Sequence, residues 1–294
     1  MSGTSTESCD RGNKGIGFEI VRQLASNGVT VILTARDENR GLEAVEKLKE
    51  KGLSDKVLFH PLDVANTTSI ARLADFIKTR FGKLDILVNN AGIGGVKVDL
   101  DKFSSANSGQ AQTPADVRKT MSQTYEAAEE CLQTNYYGAK KTAESLIPYL
   151  QLSDSPRIVN VSSSMGKLQS ISNDWAKTIL SEEESLIEDR IDEVLREFLK
   201  DFREGSLESK GWPTFMSAYT VSKAALNAYT RVSAKKYPSI LVNCVCPGFV
   251  KTDINFNTGI LSAEEGGASP VRLALLPNDG PSGLFFVRSE VSSF

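Results

Sequence analysis

Six short apolar runs, VTVILTA (29–35), KVLFHPLDV (56–64), LDILVNNAG (84–92), RIVNVSSS (157–164), ILVNCVCPG (240–248) and GLFF (283–286), alternate along the chain with amphipathic stretches. GLEAVEKLKEKG and TSIARLADFIKTRFG are examples of the latter, with apolar positions three and four apart. Strands buried on both faces need consecutive apolar residues, and stretches of helical period supply the covers. The alternation therefore predicts an α/β fold, a doubly wound parallel sheet with helices on both faces. In such a sheet a ligand binds beyond the carboxyl ends of the strands, where the strand order reverses. The unusual polar residues of this chain fall at those ends.

With 294 residues and 40% hydrophobic content the chain can bury one large core, and no composition break divides it, so residues 1–294 are expected to form a single domain. A net charge of −3 gives no electrostatic reason to hold nucleic acid or an acidic membrane. No apolar stretch reaches the ~20 residues of a bilayer span, and no secretory signal stands at the N-terminus. Cys9, Cys131, Cys244 and Cys246 show neither metal-ligand pairing nor disulfide density, which implies reduced thiols in a cytoplasmic protein. The only histidine, His60, ends an apolar run and has a structural or surface role.

Two regions stand outside the alternation. FSSANSGQAQTPADVRK (103–119) is a polar loop long enough to be a lid or a mobile insertion. The other is an insertion over 168–215, expected to be helical and to cover the cleft. Within it Ser181 and Glu184 suggest a capping box, Ile187, Ile191, Val194, Leu195, Phe198, Leu199 and Phe202 trace one face, and Gly205 ends the helix.

Near the N-terminus, GNKGIG (12–17) followed by Phe18, Ile20, Val21 and Leu24 at helical spacing has the form of a phosphate-binding turn opening a helix. Tyr219 and Lys223 in YTVSK are four apart, which on a helix places a phenol and an ammonium on one face. A neighbouring cation lowers a tyrosine pKa and makes the phenol a better proton donor to a carbonyl oxygen. Ser162, Ser163 and Ser164 end the run RIVNV, where an exposed hydroxyl can hydrogen-bond a substrate oxygen. Asn89-Asn90-Ala91-Gly92 and Pro247-Gly248 end two further runs.

In this order and combination the chain resembles a short-chain dehydrogenase/reductase. The resemblance rests on GNKGIG (12–17), LDV (62–64), NNAG (89–92), Asn135 in LQTNYYGA, SSS (162–164), YTVSK (219–223) and PGFVKT (247–252), which span nearly the whole length. The 56 positions between Ser163 and Tyr219, with the ending LLPNDGPSGLFF, resemble the plant branch of menthone, neomenthol and salutaridine reductases, similar in layout to animal monomeric carbonyl reductases.

The resemblance implies a Rossmann-type NAD(P)-binding domain and NADPH-dependent reduction of a ketone or aldehyde to an alcohol, or the reverse oxidation. The substrate class it implies is a small terpenoid or alkaloid-like carbonyl or alcohol; reduction of a conjugated enone at carbon stays open, although Tyr219 favours carbonyl chemistry. Carried over position by position, Tyr219 donates the proton, Lys223 lowers its pKa and holds the nicotinamide ribose, Ser163 binds the carbonyl, and Asn135 holds a water linking Lys223 to solvent. Gly12, Asn13, Lys14, Gly15, Ile16 and Gly17 form the phosphate turn. Asp63 and Val64 contact adenine, Asn90 the adenine ribose region, and Pro247, Gly248, Val250 and Thr252 the nicotinamide end. A monomer is also implied, because the insertion covers the surface on which other members form tetramers. Arg36, at the end of the second apolar run, and Lys14 favour the 2′-phosphate of NADPH on charge grounds.

One stretch departs from the pattern. Against T-G-x-x-x-G-x-G, Gly15 and Gly17 match, but Asp10 and Arg11 replace the Thr and the first Gly, and Gly12 is displaced by one position. Upstream, MSGTSTESCD offers no apolar strand, so the first strand is expected to be degenerate or missing. Losing its buried side chains would cost up to ~1.5–3 kcal/mol each, against a domain stability of ~5–15 kcal/mol. Three alternatives stand open here: a shortened reductase, a working enzyme in which ESC mimics the strand, and a catalytically impaired variant or pseudoenzyme that acts as a binding or regulatory protein.

Overall fold

The computed structural model describes residues 6–9, 12–98 and 120–294. Strands β1 (Thr6–Cys9), β2 (Thr30–Ala35), β3 (Val57–Pro61), β4 (Ile86–Asn89), β7 (Arg157–Val161), β8 (Leu241–Cys246), β9 (Phe285–Val287) and β10 (Glu290–Ser292) form one sheet; β5 (Lys97–Val98) and β6 (Met121–Ser122) form a small antiparallel pair. The order across the large sheet is β3-β2-β1-β4-β7-β8-β9-β10, parallel throughout except for β10 against β9. The order reverses between β1 and β4, which puts the ligand crevice beyond their carboxyl ends.

The helices are α1 (Gly15–Ser26), α2 (Glu38–Lys49), α3 (Thr67–Arg80), α4 (Tyr125–Leu132), α5 (Ala139–Leu150), α6 (Asp174–Ser181), α7 (Glu188–Arg203), α8 (Ser217–Lys236) and α9 (Ala263–Ala274). One core lies under α1, α2 and α9, where Ile20, Val21, Leu24, Leu48 and Leu273 meet one face of the sheet. The other lies under α3, α5, α8 and the insertion, where Leu73, Leu146, Val221, Leu195 and Phe198 meet the opposite face. Each apolar run read from the sequence holds a strand; β2, β4 and β7 are buried at every residue, which leaves no room for polar alternation, whereas β3 at the sheet edge is only partly buried.

The first strand requires a correction. Thr6–Cys9 is neither missing nor at the margin: it pairs in parallel with β2, Thr6 opposite Thr30 through Cys9 opposite Leu33, and with β4, Glu7 opposite Ile86 through Cys9 opposite Val88. The pairing is made by backbone amides and carbonyls, which any non-proline residue carries, and two neighbours offer ladders to a four-residue segment whatever its side chains. Val31, Leu33, Leu87 and Val88 beside it remain fully buried. One of the two grounds for a non-catalytic protein was the loss of this strand, and it falls with the strand in place; the other was the loss of the first glycine, where Arg11 stands. Asp10, Arg11 and the loop 103–119 lie outside the described residues.

The insertion also differs in detail. Ser181 ends α6, its Oγ donating to the Thr178 carbonyl at 2.8 Å, so it is no N-cap for the next helix. That helix, α7, begins at Glu188 after Ile187, which makes no side-chain cap and is 54% exposed rather than on the buried face. Glu188 and Asp189 in its first turn and Lys200 and Arg203 in its last complement the helix dipole instead. Gly205, at φ +67°, ends it as expected. α7 packs on α4 and α8.

Candidate active site

β7 delivers its last residues into the crevice, and the two serines that follow it separate in role. Ser162 is buried and donates to Asn227 Oδ1 at 2.6 Å, while Asn227 Nδ2 donates to the Gly166 carbonyl at 3.0 Å. It is a strut between β7 and α8. Ser163 is half-buried, accepts from the Met165 amide at 3.2 Å, and shares a hydrogen bond with the Tyr219 phenol.

α8 is buried around nearly its whole circumference, which fixes the rotation of Tyr219 and Lys223. Lys223, 3% exposed, donates from Nζ to the Val161 carbonyl at 2.8 Å, and the same Nζ lies 5.8 Å from the centre of the Tyr219 ring. Gly166 permits this approach: a Cβ there would stand 2.6 Å from the Lys223 carbonyl carbon and 2.7 Å from its Cβ. The N-terminus of α8 is held by Gln123, whose Oε1 accepts from the amide and the hydroxyl of Ser217, each at 2.7 Å.

Burial pushes the Tyr219 phenol well above its ordinary range, and the hydrogen bond from Ser163 opposes that shift. The phenol so held gives up its proton less readily, so transfer from it relies on stabilisation of the phenolate by Ser163 and by the Lys223 ammonium.

Asn135 lies in a π-helical turn, Gln133–Gly138, that joins α4 to α5 and widens the helix at this one place. It is fully buried and grips the segment after β4: its Oδ1 accepts from the Ile93 amide at 2.8 Å and its Nδ2 donates to the Ile93 carbonyl at 3.0 Å. Nδ2 also faces Ser222 Oγ at 3.0 Å, and that hydroxyl donates to the Tyr219 carbonyl at 2.8 Å. A Cβ at Gly92 would lie 3.4 Å from Lys223 Nζ and 3.6 Å from Asn135 Oδ1, so the NNAG segment, Asn135 and Lys223 converge.

The turn before α1 is built for an anion. Gly12 donates its amide to the Thr34 carbonyl at 2.9 Å, which anchors the turn to β2, and Gly15 takes φ +56°. Lys14 is the N-cap of α1, which places its ammonium beside the helix start. The Lys14 ammonium pairs with Asp253 from the segment after β8. Asn13 and Ile16 are half-buried in the same turn, and Gly17 is buried in the first turn of α1.

Arg36, Asp63 and Val64 line one recess together with Ala91 and Thr134. Arg36 is exposed at its rim, and Asp63 Oδ1 accepts from the Ala65 amide at 3.0 Å. Asn90 is half-buried at the end of β4. At the end of β8, Pro247 is buried and Gly248 takes φ +95°, where a Cβ would also meet Leu261 Cδ1 at 2.6 Å. Val250 is buried, and a Cβ at Gly266 would lie 2.6 Å from it and 3.3 Å from Ile16; Thr252 Cγ2 lies 3.6 Å from the Cβ position of Gly15. The segment after β8 thus rests on the glycine turn. A helix start at one end, cations at Lys14 and Arg36, and Tyr219 at the other fit a dinucleotide with a nicotinamide.

His60, half-buried, has its ring 4.9 Å from that of Phe76 and its pKa is lowered by burial, in keeping with a structural role. Gly166, Ser222, Asn227, Gln123 and Asn255 were not identified from sequence. Ser222 lies within YTVSK and Gly166 two residues after the last of the serines, but the others carry no local signal, since each acts on a partner brought near by the fold.

The profile of the short chain dehydrogenase family matches residues 12–174, and that of enoyl-(acyl carrier protein) reductase matches residues 205–279. The chain is 61% identical over 285 residues to (+)-neomenthol dehydrogenase of Arabidopsis thaliana, covering 96% of this chain and 95% of the relative. It is 38% identical over 290 residues to carbonyl reductase (NADPH) 1 of Rattus norvegicus, covering 95% and 94%. The solved structure of salutaridine reductase from Papaver somniferum superposes with a TM-score of 0.91 at 54% identity, over 96% of this chain and 99% of that one.

Proposed function

The chain belongs to the short-chain dehydrogenase family and is an oxidoreductase that uses a nicotinamide cofactor, and from that premise we propose that it reduces a ketone or aldehyde of a small terpenoid or alkaloid-like compound with NADPH, or runs the reverse oxidation. The observation that carries this reading is the convergence of Ser163 and Lys223 on Tyr219 at the carboxyl end of β7. When bound, the nicotinamide would supply a hydride to the carbonyl carbon.

In this reading Ser163 Oγ donates a hydrogen bond to the carbonyl oxygen, and the buried Tyr219 phenol, held protonated, transfers its proton to the same oxygen. The Lys223 ammonium stands close enough to stabilise the phenolate left behind. Proton return runs through Lys223 and a water at Asn135, whose grip on Ile93 holds that segment in place. The glycine turn with Lys14 takes the phosphates, Arg36 the 2′-phosphate, Asp63, Val64 and Asn90 the adenosine, and Pro247, Gly248, Val250 and Thr252 the carboxamide end.

The insertion 168–215, docked on α4 and on α8, forms the wall of the cleft on that side and keeps the chain monomeric by covering those helices. Cys131, Cys244 and Cys246 are free thiols, which fits a cytoplasmic setting. Among the described residues no helix is long and apolar enough to cross a membrane.

Cofactor consumption with a panel of cyclic terpenoid ketones, alkaloid ketones and simple aldehydes tests this. The expected result is ketone-dependent loss of NADPH at least tenfold faster than of NADH. Tight NADPH binding with no turnover of any carbonyl would overturn the carbonyl reading, and equal use of NADH would overturn the cofactor assignment.

A further inference from the structure

Residues 249–261 form a strap that leaves β8 and returns on itself. Val250 bridges to Leu261, the Lys251 amide donates to the Leu261 carbonyl at 2.9 Å, and the Ile260 amide donates to the Phe249 carbonyl at 2.8 Å. Its tip is a single 3-10 turn, Asp253–Asn255, followed by Phe256 at φ 55° and Asn257 at φ 60°. Residues other than glycine hold that left-handed region only where their surroundings fix them.

Backbone bonds hold these two, the Asn257 amide donating to the Thr252 carbonyl at 2.9 Å, and the side chain of Asn255 ties the first residues of the strap together. Its Nδ2 donates to the Val250 carbonyl at 2.7 Å and its Oδ1 accepts from the Thr252 amide at 3.2 Å, so one amide clasps both residues. The orientation of the amide follows from its partners, since a carbonyl can only accept and an N–H only donate. Its own backbone carbonyl accepts from Thr258 Oγ1 at 2.7 Å, which secures Asn255 in turn. The clasp uses the inward backbone groups of Val250 and Thr252. Thr252 and Asn255 form a reciprocal capping box, the Thr252 hydroxyl accepting from the Asn255 amide and also lying 3.4 Å from the Val250 carbonyl, while the Thr252 methyl rests against the Gly15 turn.

We propose that Asn255 is a positioning residue that sets Val250 and Thr252 for the carboxamide of the nicotinamide ring. This rests on the proposed function, in which those two residues take the carboxamide. Asn255 touches no reacting atom; it acts through the two residues it clasps, and so governs the nicotinamide half of the cofactor and not the adenosine half.

The test measures binding of NADPH and of adenosine 2′,5′-bisphosphate, which lacks the nicotinamide, to the wild-type chain, Asn255→Ala and Asn255→Asp. Asn255→Ala should weaken NADPH at least tenfold and the bisphosphate less than twofold. In Asn255→Asp the ionised carboxylate opposes the Val250 carbonyl, acceptor against acceptor, whereas the protonated acid donates to it. NADPH affinity of that variant, taken relative to wild type, should therefore recover as pH falls from about 6 towards about 4, into the carboxyl range. Lys14, Lys251 and Asp253 are common to all three chains, so the ratio isolates the new group.

Equal weakening of both probes by Asn255→Ala, unchanged NADPH binding, or a flat pH ratio for Asn255→Asp would overturn this inference alone. Should Asn255→Ala fail to fold, the pH ratio decides. A wild-type chain that binds neither probe would overturn the proposed function and this inference with it.

Discussion

The ammonium of Lys14 and the carboxylate of Asp253 form an ion pair between residues 239 positions apart, joining the turn before α1 to the strap after β8. Both side chains are more than half exposed, at 51% and 67%, so the pair itself adds only ~0–1 kcal/mol to stability. Its meaning lies in competition, because an incoming cofactor phosphate and Asp253 seek the same cation. Asp253→Asn should tighten NADPH binding by about two- to fivefold, and Lys14→Ala should weaken it by about fivefold, on the order of 1 kcal/mol at an exposed site. Titrations at low and high salt check this, since both effects must shrink as the Debye length falls to ~3 Å at 1 M.

Gly166 lies against the backbone of Lys223, and a methyl group there has nowhere to go. Gly166→Ala should lower stability by ~1–3 kcal/mol through overpacking and reduce turnover further by moving Lys223. Gly205→Ala is the control: its φ of +67° is strained for alanine, but a Cβ there meets nothing within 4 Å. It should cost ~1–2 kcal/mol with turnover unchanged. Melting curves and initial rates on both variants separate backbone strain from damage to the site.

Burial raises the pKa of the phenols Tyr136, Tyr219 and Tyr229 and pushes the thiols of Cys131 and Cys244 up to about 12. The folded chain then holds protons that the unfolded chain has already released. Stability from these groups is fully present below the unfolded values, ~8.5 for thiols and ~10 for phenols, and is lost as pH rises towards the folded ones. Urea midpoints should stay level through these groups up to about pH 8 and fall above about pH 9 to 10. A midpoint that rises above pH 10 would contradict the burial.

The insertion is fastened through Phe198, fully buried, whose ring meets that of Trp212 edge-on at 5.3 Å. Trp212 Nε1 donates to Asp201 Oδ2 at 2.8 Å, and on the side towards α5 Asp192 accepts from Tyr136 at 2.8 Å and Lys140 at 2.9 Å. Phe198→Ala should cost ~3–5 kcal/mol, a large share of a typical domain's stability. Light scattering of the wild type should give 32.0 kDa; a tetramer at micromolar protein would contradict the monomer.

What could be read from the sequence, and what could not, follows from how each element works. The buried parallel strands from β2 onward appear as continuous apolar runs, and Tyr219 with Lys223 appears as a motif because helical spacing alone brings them together. β1 was hidden because its place is secured by backbone pairing to β2 and β4, which side-chain composition does not report. The apparent capping box at Ser181 misled because α6 ends there, and Glu182–Ile187 separate it from α7. Gly166 and Asn255 escaped notice because their partners are defined by close approach in the fold, a contact with Lys223 in one case and two backbone groups in the other.

The most direct test of the account is Tyr219→Phe, measured for ketone reduction and for NADPH affinity on the same preparation. Removing one hydroxyl from this half-buried ring takes away the proton donor and leaves its packing, so turnover should fall by ~10²–10⁴-fold while NADPH affinity stays within about twofold. Undiminished turnover, or a loss of affinity that matches the loss of rate, would contradict the role assigned to Tyr219.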